Sequence, residues 1–123
     1  PFKTFYFRYV KKQNPYSLVA VEDLLSKFRK NIKIIQGDTN QILHEIDLKN
    51  VDFIFIDGGH DYKTVKNDLE QSFKIINKNG TILCDDWNLS QALGVREAIK
   101  DFSKEHNVNF EIVHERFAQF NLQ

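Results

Sequence analysis

Short apolar runs and longer helical stripes take turns along this chain. The run "KTFYFRYV" is aromatic and β-branched and predicts a strand; Pro15 then breaks the chain before Leu18, Val21, Leu25 and Phe28 recur at helical spacing. "IKII" predicts a second strand, closed by Gly37, with Asp38 or Thr39 placed to cap a short helix carrying Ile42, Leu43 and Ile46. "VDFIFI" predicts a third strand. Val65, Leu69, Phe73 and Ile76 then form one stripe through a longer helix that "NKNG" is expected to end. "TILC" predicts a fourth strand, Val95, Ala98, Ile99 and Phe102 a further helix, and "VNFEIVHE" and "FAQFNLQ" two closing strands. Strand and helix in alternation mean an α/β layer around a largely parallel sheet.

Composition sharpens this picture in three places. At 123 residues, 41% hydrophobic and formally neutral, residues 1–123 are expected to form one domain able to bury a core. Seventeen basic residues balance 17 acidic ones without a long run of either sign, so neither nucleic acid nor an anionic membrane is an expected partner. No apolar stretch is long enough to span a bilayer and no signal segment opens the chain, which makes the cytoplasm the expected compartment. Cys84 is the single cysteine, and its apolar neighbours mark it as a small buried hydrophobe.

The candidate chemistry gathers where parallel strands would end. Asp38 lies just past the second expected strand, Asp57 ends the third, and Asp85 with Asp86 ends the fourth. Ligands of doubly wound sheets bind along that carboxyl edge. Neighbouring strands lie about 4.8 Å apart, so Asp57 and the Asp85–Asp86 pair could converge on one small ion. Carboxylate oxygens suit magnesium, calcium or manganese; zinc would call for histidine or cysteine. The simpler reading is that these aspartates cap the helices that follow. Between Asp57 and the next helix stand Gly58, Gly59 and His60, and glycines here mean that backbone bends sharply or approaches something closely.

The stretch "VDFIFIDGGHDYKTVKNDLEQSFKIINKNGTILCDDWN", followed by "GVREAIKDF", resembles class I S-adenosylmethionine-dependent methyltransferases, most closely the macrocin-type sugar O-methyltransferases. The resemblance rests on the DGGH turn, the "DLE" helix, the "NG" turn and the double aspartate, in that order. It implies a Rossmann-like sheet, mostly parallel with an antiparallel last strand, and S-adenosylmethionine bound over the carboxyl edge. It also implies a divalent metal, magnesium first, beside the hydroxyl of a small acceptor such as a sugar. Asp57, Asp85 and Asp86 match the metal-binding acids; Asp38, Asp57 and Gly58 fall where the cofactor is contacted. His60, with Asp57, falls where the acceptor is deprotonated, and Tyr62 and Trp87 flank the acids as pocket walls or as plain packing.

One family feature is missing. Nothing like E-x-G-x-G occurs before Gly37, so the strand-helix unit that wraps the methionine end of the cofactor is not expected in this chain. Either the chain is the carboxyl part of a larger enzyme, or "TFYFRYV" has taken the central place, or a partner such as a second copy completes the sheet. A non-catalytic remnant of the same fold is the rival to an enzyme.

Overall fold

The computed structural model describes Asn14 and residues 17–122; the strand expected over residues 3–10, with Pro15, lies outside the described residues. Contacts divide the chain into two units, Pro1–Gly37 and Asp38–Gln123.

In the first unit, Ser17 Oγ accepts the backbone N–H of Ala20 at 3.2 Å and so starts helix α1, Leu18–Leu24. A 3₁₀ turn, Ser26–Phe28, follows. The strand expected at "IKII" does not form: residues 32–36 have no regular structure, and Ile34 and Ile35 are exposed. An apolar run becomes a strand only when a neighbour takes up its N–H and C=O groups, and no described residue pairs with this one.

The second unit opens with the short helix α2, Thr39–Ile42, and continues through β1 (Val51–Ile56), α3 (Tyr62–Ile75), β2 (Ile76–Cys84), α4 (Leu93–His106), β3 (Glu111–Val113) and β4 (Phe117–Asn121). The strands form one sheet in the order β1-β2-β4-β3. β1 is parallel to β2, and β4 is antiparallel to both β2 and β3. Three strands therefore run one way and the last runs against them, as the resemblance implied.

Helix α3 starts where Asp61 Oδ1 accepts the N–H of Thr64 at 3.0 Å. The residues "NKNG" do not end it as a loop. β2 begins at Ile76 and carries them inside the strand; Val51 pairs with Ile76 and Phe53 already with Thr81, so a bulge absorbs the excess. Helix α4 ends on Asn107 at φ 53°, a left-handed cap that asparagine tolerates.

Both long helices close over one face of the sheet. Leu69 of α3, Ile99 and Phe102 of α4, and Ile82, Cys84 and Phe120 of the strands are fully buried together. Phe102 meets Phe73 and Phe120 edge to face at 5.5 and 5.3 Å, a preferred geometry for aromatic pairs. Burial pushes the Cys84 thiol up to about 12, which makes it an inert core residue. Along β2, Ile82 and Cys84 alternate with the half-buried Leu83, the two-residue period of a strand with one face covered. β1 is the outer strand among the described residues, and its Phe53 and Phe55 remain 56% and 47% exposed.

One close contact ties the helix layer to the turn after β1. A Cβ added at Gly94, in the first turn of α4, would lie 2.5 Å from Tyr62 N and 2.8 Å from His60 O, both backbone atoms that cannot swing aside. Gly94→Ala should therefore lower stability by about 1–3 kcal/mol through overpacking. Thermal denaturation checks this, and a melting temperature unchanged from the parent protein would contradict the contact.

Candidate functional site at the carboxyl edge of the sheet

Parallel pairing of β1 with β2 sets Ile56 beside Cys84, so Asp57 and Asp85 leave the sheet as neighbours. The ladder continues one step further, because Asp85 N donates to Ile56 O at 2.9 Å. Asp57, Gly58, His60, Asp85 and Asp86 then line one pocket of about 10 Å3, roughly the space of a single water.

Asp85 is the buried member, 5% exposed. Its Oδ1 accepts the N–H of Asp86 at 2.6 Å, and both oxygens accept from Arg116, through Nε and Nη2. That fork is the strong, bidentate form of a carboxylate pair. It holds the Asp85 carboxyl below the usual carboxylate range, and the same pairing pushes Arg116 up, with Asp86 and Asp57 adding to the field. Asp86 sits at φ 63°, a left-handed position uncommon outside glycine, and its Oδ2 lies 2.8 Å from Nε2 of the half-exposed His60. Trp87 N donates to Arg116 O at 2.9 Å, which ties the acid segment to the turn between β3 and β4 a second time.

The three acids thus meet at one edge, where Arg116 faces Asp85 and His60 faces Asp86. A divalent ion would take carboxylate oxygens as ligands, and at Asp85 it would have to share or displace Arg116, and at Asp86 it would meet His60. Among the described residues, the trio of metal-capable side chains whose ligand atoms lie within 4.8 Å of one another is Glu70, Glu105 and His106, away from this edge. That group already contains a cation, since Lys66 Nζ donates to Glu70 and Glu105.

Asp38 takes the capping place expected of it. Its Oδ1 caps α2 by accepting Asn40 N at 2.9 Å and Asn40 Nδ2 at 3.2 Å. The two glycines also find their close neighbour inside the chain. A Cβ at Gly58 would lie 3.2 Å from Asp68 Oδ2, and one at Gly59 would lie 3.0 Å from Thr64 Cγ2, so what comes close is the first half of α3. Tyr62 donates its hydroxyl to Asp101 at 3.0 Å, and Trp87 packs on Phe110, with Arg96 and Lys100 over its ring.

Two residues of this edge escape a strand-by-strand reading. Arg116 stands ahead of an antiparallel strand, and such a strand begins where its parallel neighbours end. The topology itself was the signal. Asp68, within "DLE", is 4% exposed on α3, and its Oδ1 has no hydrogen-bond partner. With Thr39, Asp57 and Gly58 it forms the polar end of a cavity of about 490 Å3 whose walls include Leu43 and Ile54.

Burial raises the Asp68 carboxyl, with Thr39 and Asn67 acting the other way. An acid whose folded value is raised loses stability as pH climbs from its unfolded value through the folded one. Asp68→Asn should therefore raise the melting temperature at pH near 7 more than at pH near 4, where the parent carboxyl starts to hold its proton in both states. Equal shifts at both pH values would contradict a strained buried carboxylate.

Residues 5–87 match a family described as methyltransferase domain. The O-methyltransferase NovP superposes with a TM-score of 0.73 at 11% identity, over 87% of this chain and 45% of NovP. CalS11, a TDP-rhamnose 3'-O-methyltransferase of calicheamicin biosynthesis, gives 0.57 at 16% identity, over 71% of this chain and 40% of its own. Aeropyrum pernix fibrillarin, solved with natively bound S-adenosyl-L-methionine, gives 0.54 at 16% identity, over 85% and 51%. An uncharacterised protein of Acanthamoeba polyphaga mimivirus is 46% identical over 37 residues, which is 30% of this chain and 17% of that protein. The chain thus spans about half the length of the structures it resembles, and the sheet order with its reversed last strand is the Rossmann-like fold they share. On the match over residues 5–87, the chain belongs to the methyltransferase-domain family.

Proposed function

We propose that this chain carries the acceptor side of an S-adenosylmethionine-dependent O-methyltransferase, acting on a small hydroxylated molecule such as a sugar. The observation that carries this is the His60–Asp86 pair, 2.8 Å between Nε2 and Oδ2, set beside Asp57 at the carboxyl edge of a methyltransferase sheet. Methyl transfer is an in-line displacement at a sulfonium, so the protein has chiefly to align the acceptor oxygen with the methyl group and remove its proton. His60, oriented by Asp86, takes that proton; Asp57 and Gly58 border the cofactor, and Asp38 lies on the adenine side. The acceptor oxygen attacks the methyl carbon as the carbon–sulfur bond breaks, and S-adenosylhomocysteine leaves as a neutral thioether.

Residues 1–123 act in this reading as one Rossmann-like domain of the cytoplasm. No helix among the described residues is long and apolar enough to cross a membrane. A further strand beside β1, contributed by a second copy or by other parts of the protein, would cover Phe53 and Phe55. The metal-assisted form, with magnesium on Asp57, Asp85 and Asp86, requires Arg116 to leave Asp85, and the fork between them favours the metal-free form. The rival reading, a remnant that no longer binds cofactor, is favoured by the absence of a glycine-rich loop before Gly37.

Calorimetric titration separates the two. Weak binding of S-adenosylmethionine, above the micromolar range, is expected because the sequence has no glycine-rich motif before Gly37 to enclose the methionine end; no binding at any concentration would favour the remnant. Under cofactor saturation, with hydroxylated sugars as acceptors, His60→Gln should lower kcat by about 10²–10⁴, the usual worth of a general base, and leave cofactor affinity unchanged. Full activity in that variant would remove His60 from the reaction.

A further inference from the structure

We propose that Arg116 is the resident cation of the acid edge, held by the chain itself in the place where the family resemblance puts a divalent ion. Three observations carry this. The Asp85 side chain is 3% exposed, and its two oxygens receive the Arg116 fork, so its strongest acceptor positions are occupied. Asp57 and Asp86 line one small pocket with Asp85, so the guanidinium that forks on Asp85 belongs to the edge where all three acids meet. Arg116 is also held at its backbone, through Trp87 N on its carbonyl oxygen, which keeps the residue beside the acid segment.

A buried carboxylate left without a partner is costly, and three clustered carboxylates repel one another. Arg116 removes the first penalty and, by neutralising Asp85, lessens the second without an ion from solution. A guanidinium is planar, always charged and shaped for a carboxylate, so it satisfies Asp85 in a way a lysine ammonium would not. Magnesium, which loses its waters reluctantly, would have to break that fork before it could reach Asp85. Arg116 is thus a positioning residue: it acts through Asp85 and leaves Asp86 free for His60. The consequence for methyl transfer rests on the reading above, whereas the exchange between cation and metal is measured without any reaction.

Manganese binding, followed by the electron paramagnetic resonance of the free ion and by melting temperature, tests the proposal in the full chain. The unmodified protein should show no melting shift in millimolar magnesium or manganese that depends on Asp85. Arg116→Gln should melt lower in metal-free buffer and bind manganese about tenfold more tightly or better, the scale of one released charge-assisted hydrogen bond. Adding Asp85→Asn to that variant should abolish the gain. Arg116→Lys keeps the charge without the fork and covers the case in which Arg116→Gln fails to fold; its manganese affinity should rise above that of the unmodified protein. A melting shift in the unmodified protein that Asp85→Asn abolishes, or manganese binding unchanged in Arg116→Gln and Arg116→Lys, would overturn the assignment.

Discussion

The pair between Asp85 and Arg116 joins the end of a parallel strand to the start of the antiparallel one, and the acid edge depends on it. Without a cation, the β1 and β2 ends would bring Asp57, Asp85 and Asp86 together with only His60 to offset them. The fork neutralises the most buried of the three. It also sets the shape of the edge. Asp85 Oδ1 receives the Asp86 N–H, Asp86 turns into the left-handed region, and its carboxylate then points to His60. A local electrostatic need is met by topology, because only a reversed strand brings its first residues to this edge.

Much of the fold was legible. "VDFIFI" and "TILC" read as strands and the Val65 and Val95 stripes as helices because burial on one face writes a period into the sequence, and all four elements are present. What misled was local chemistry overridden by pairing. "NKNG" has the composition of a turn, yet the neighbouring β1 draws it into β2 as a bulge. "IKII" has the composition of a strand, yet no described neighbour pairs with it. A strand belongs to two segments at once, and a single sequence displays only one of them.

The site was legible to a similar depth. That acids would collect where the parallel strands end followed from Asp57, Asp85 and Asp86 each closing an apolar run, and the structure brings them to one pocket. Which cation they meet did not follow, since Arg116 lies 30 residues further on in a turn without any motif. Asp38 was readable as the cap of the short helix after it, and it caps that helix through Asn40. For Asp85 the place at the edge was readable and the partner was not. The glycines after Asp57 taught the same lesson, because their tight neighbours proved to be Asp68 and Thr64 of the following helix.

A crystal grown in manganese, with anomalous scattering collected at the manganese edge, tests the central claim most directly. The account predicts no anomalous peak among Asp57, Asp85 and Asp86, and the guanidinium of Arg116 still forked on Asp85. A manganese ion bridging these carboxylates, with Arg116 turned away, would contradict it.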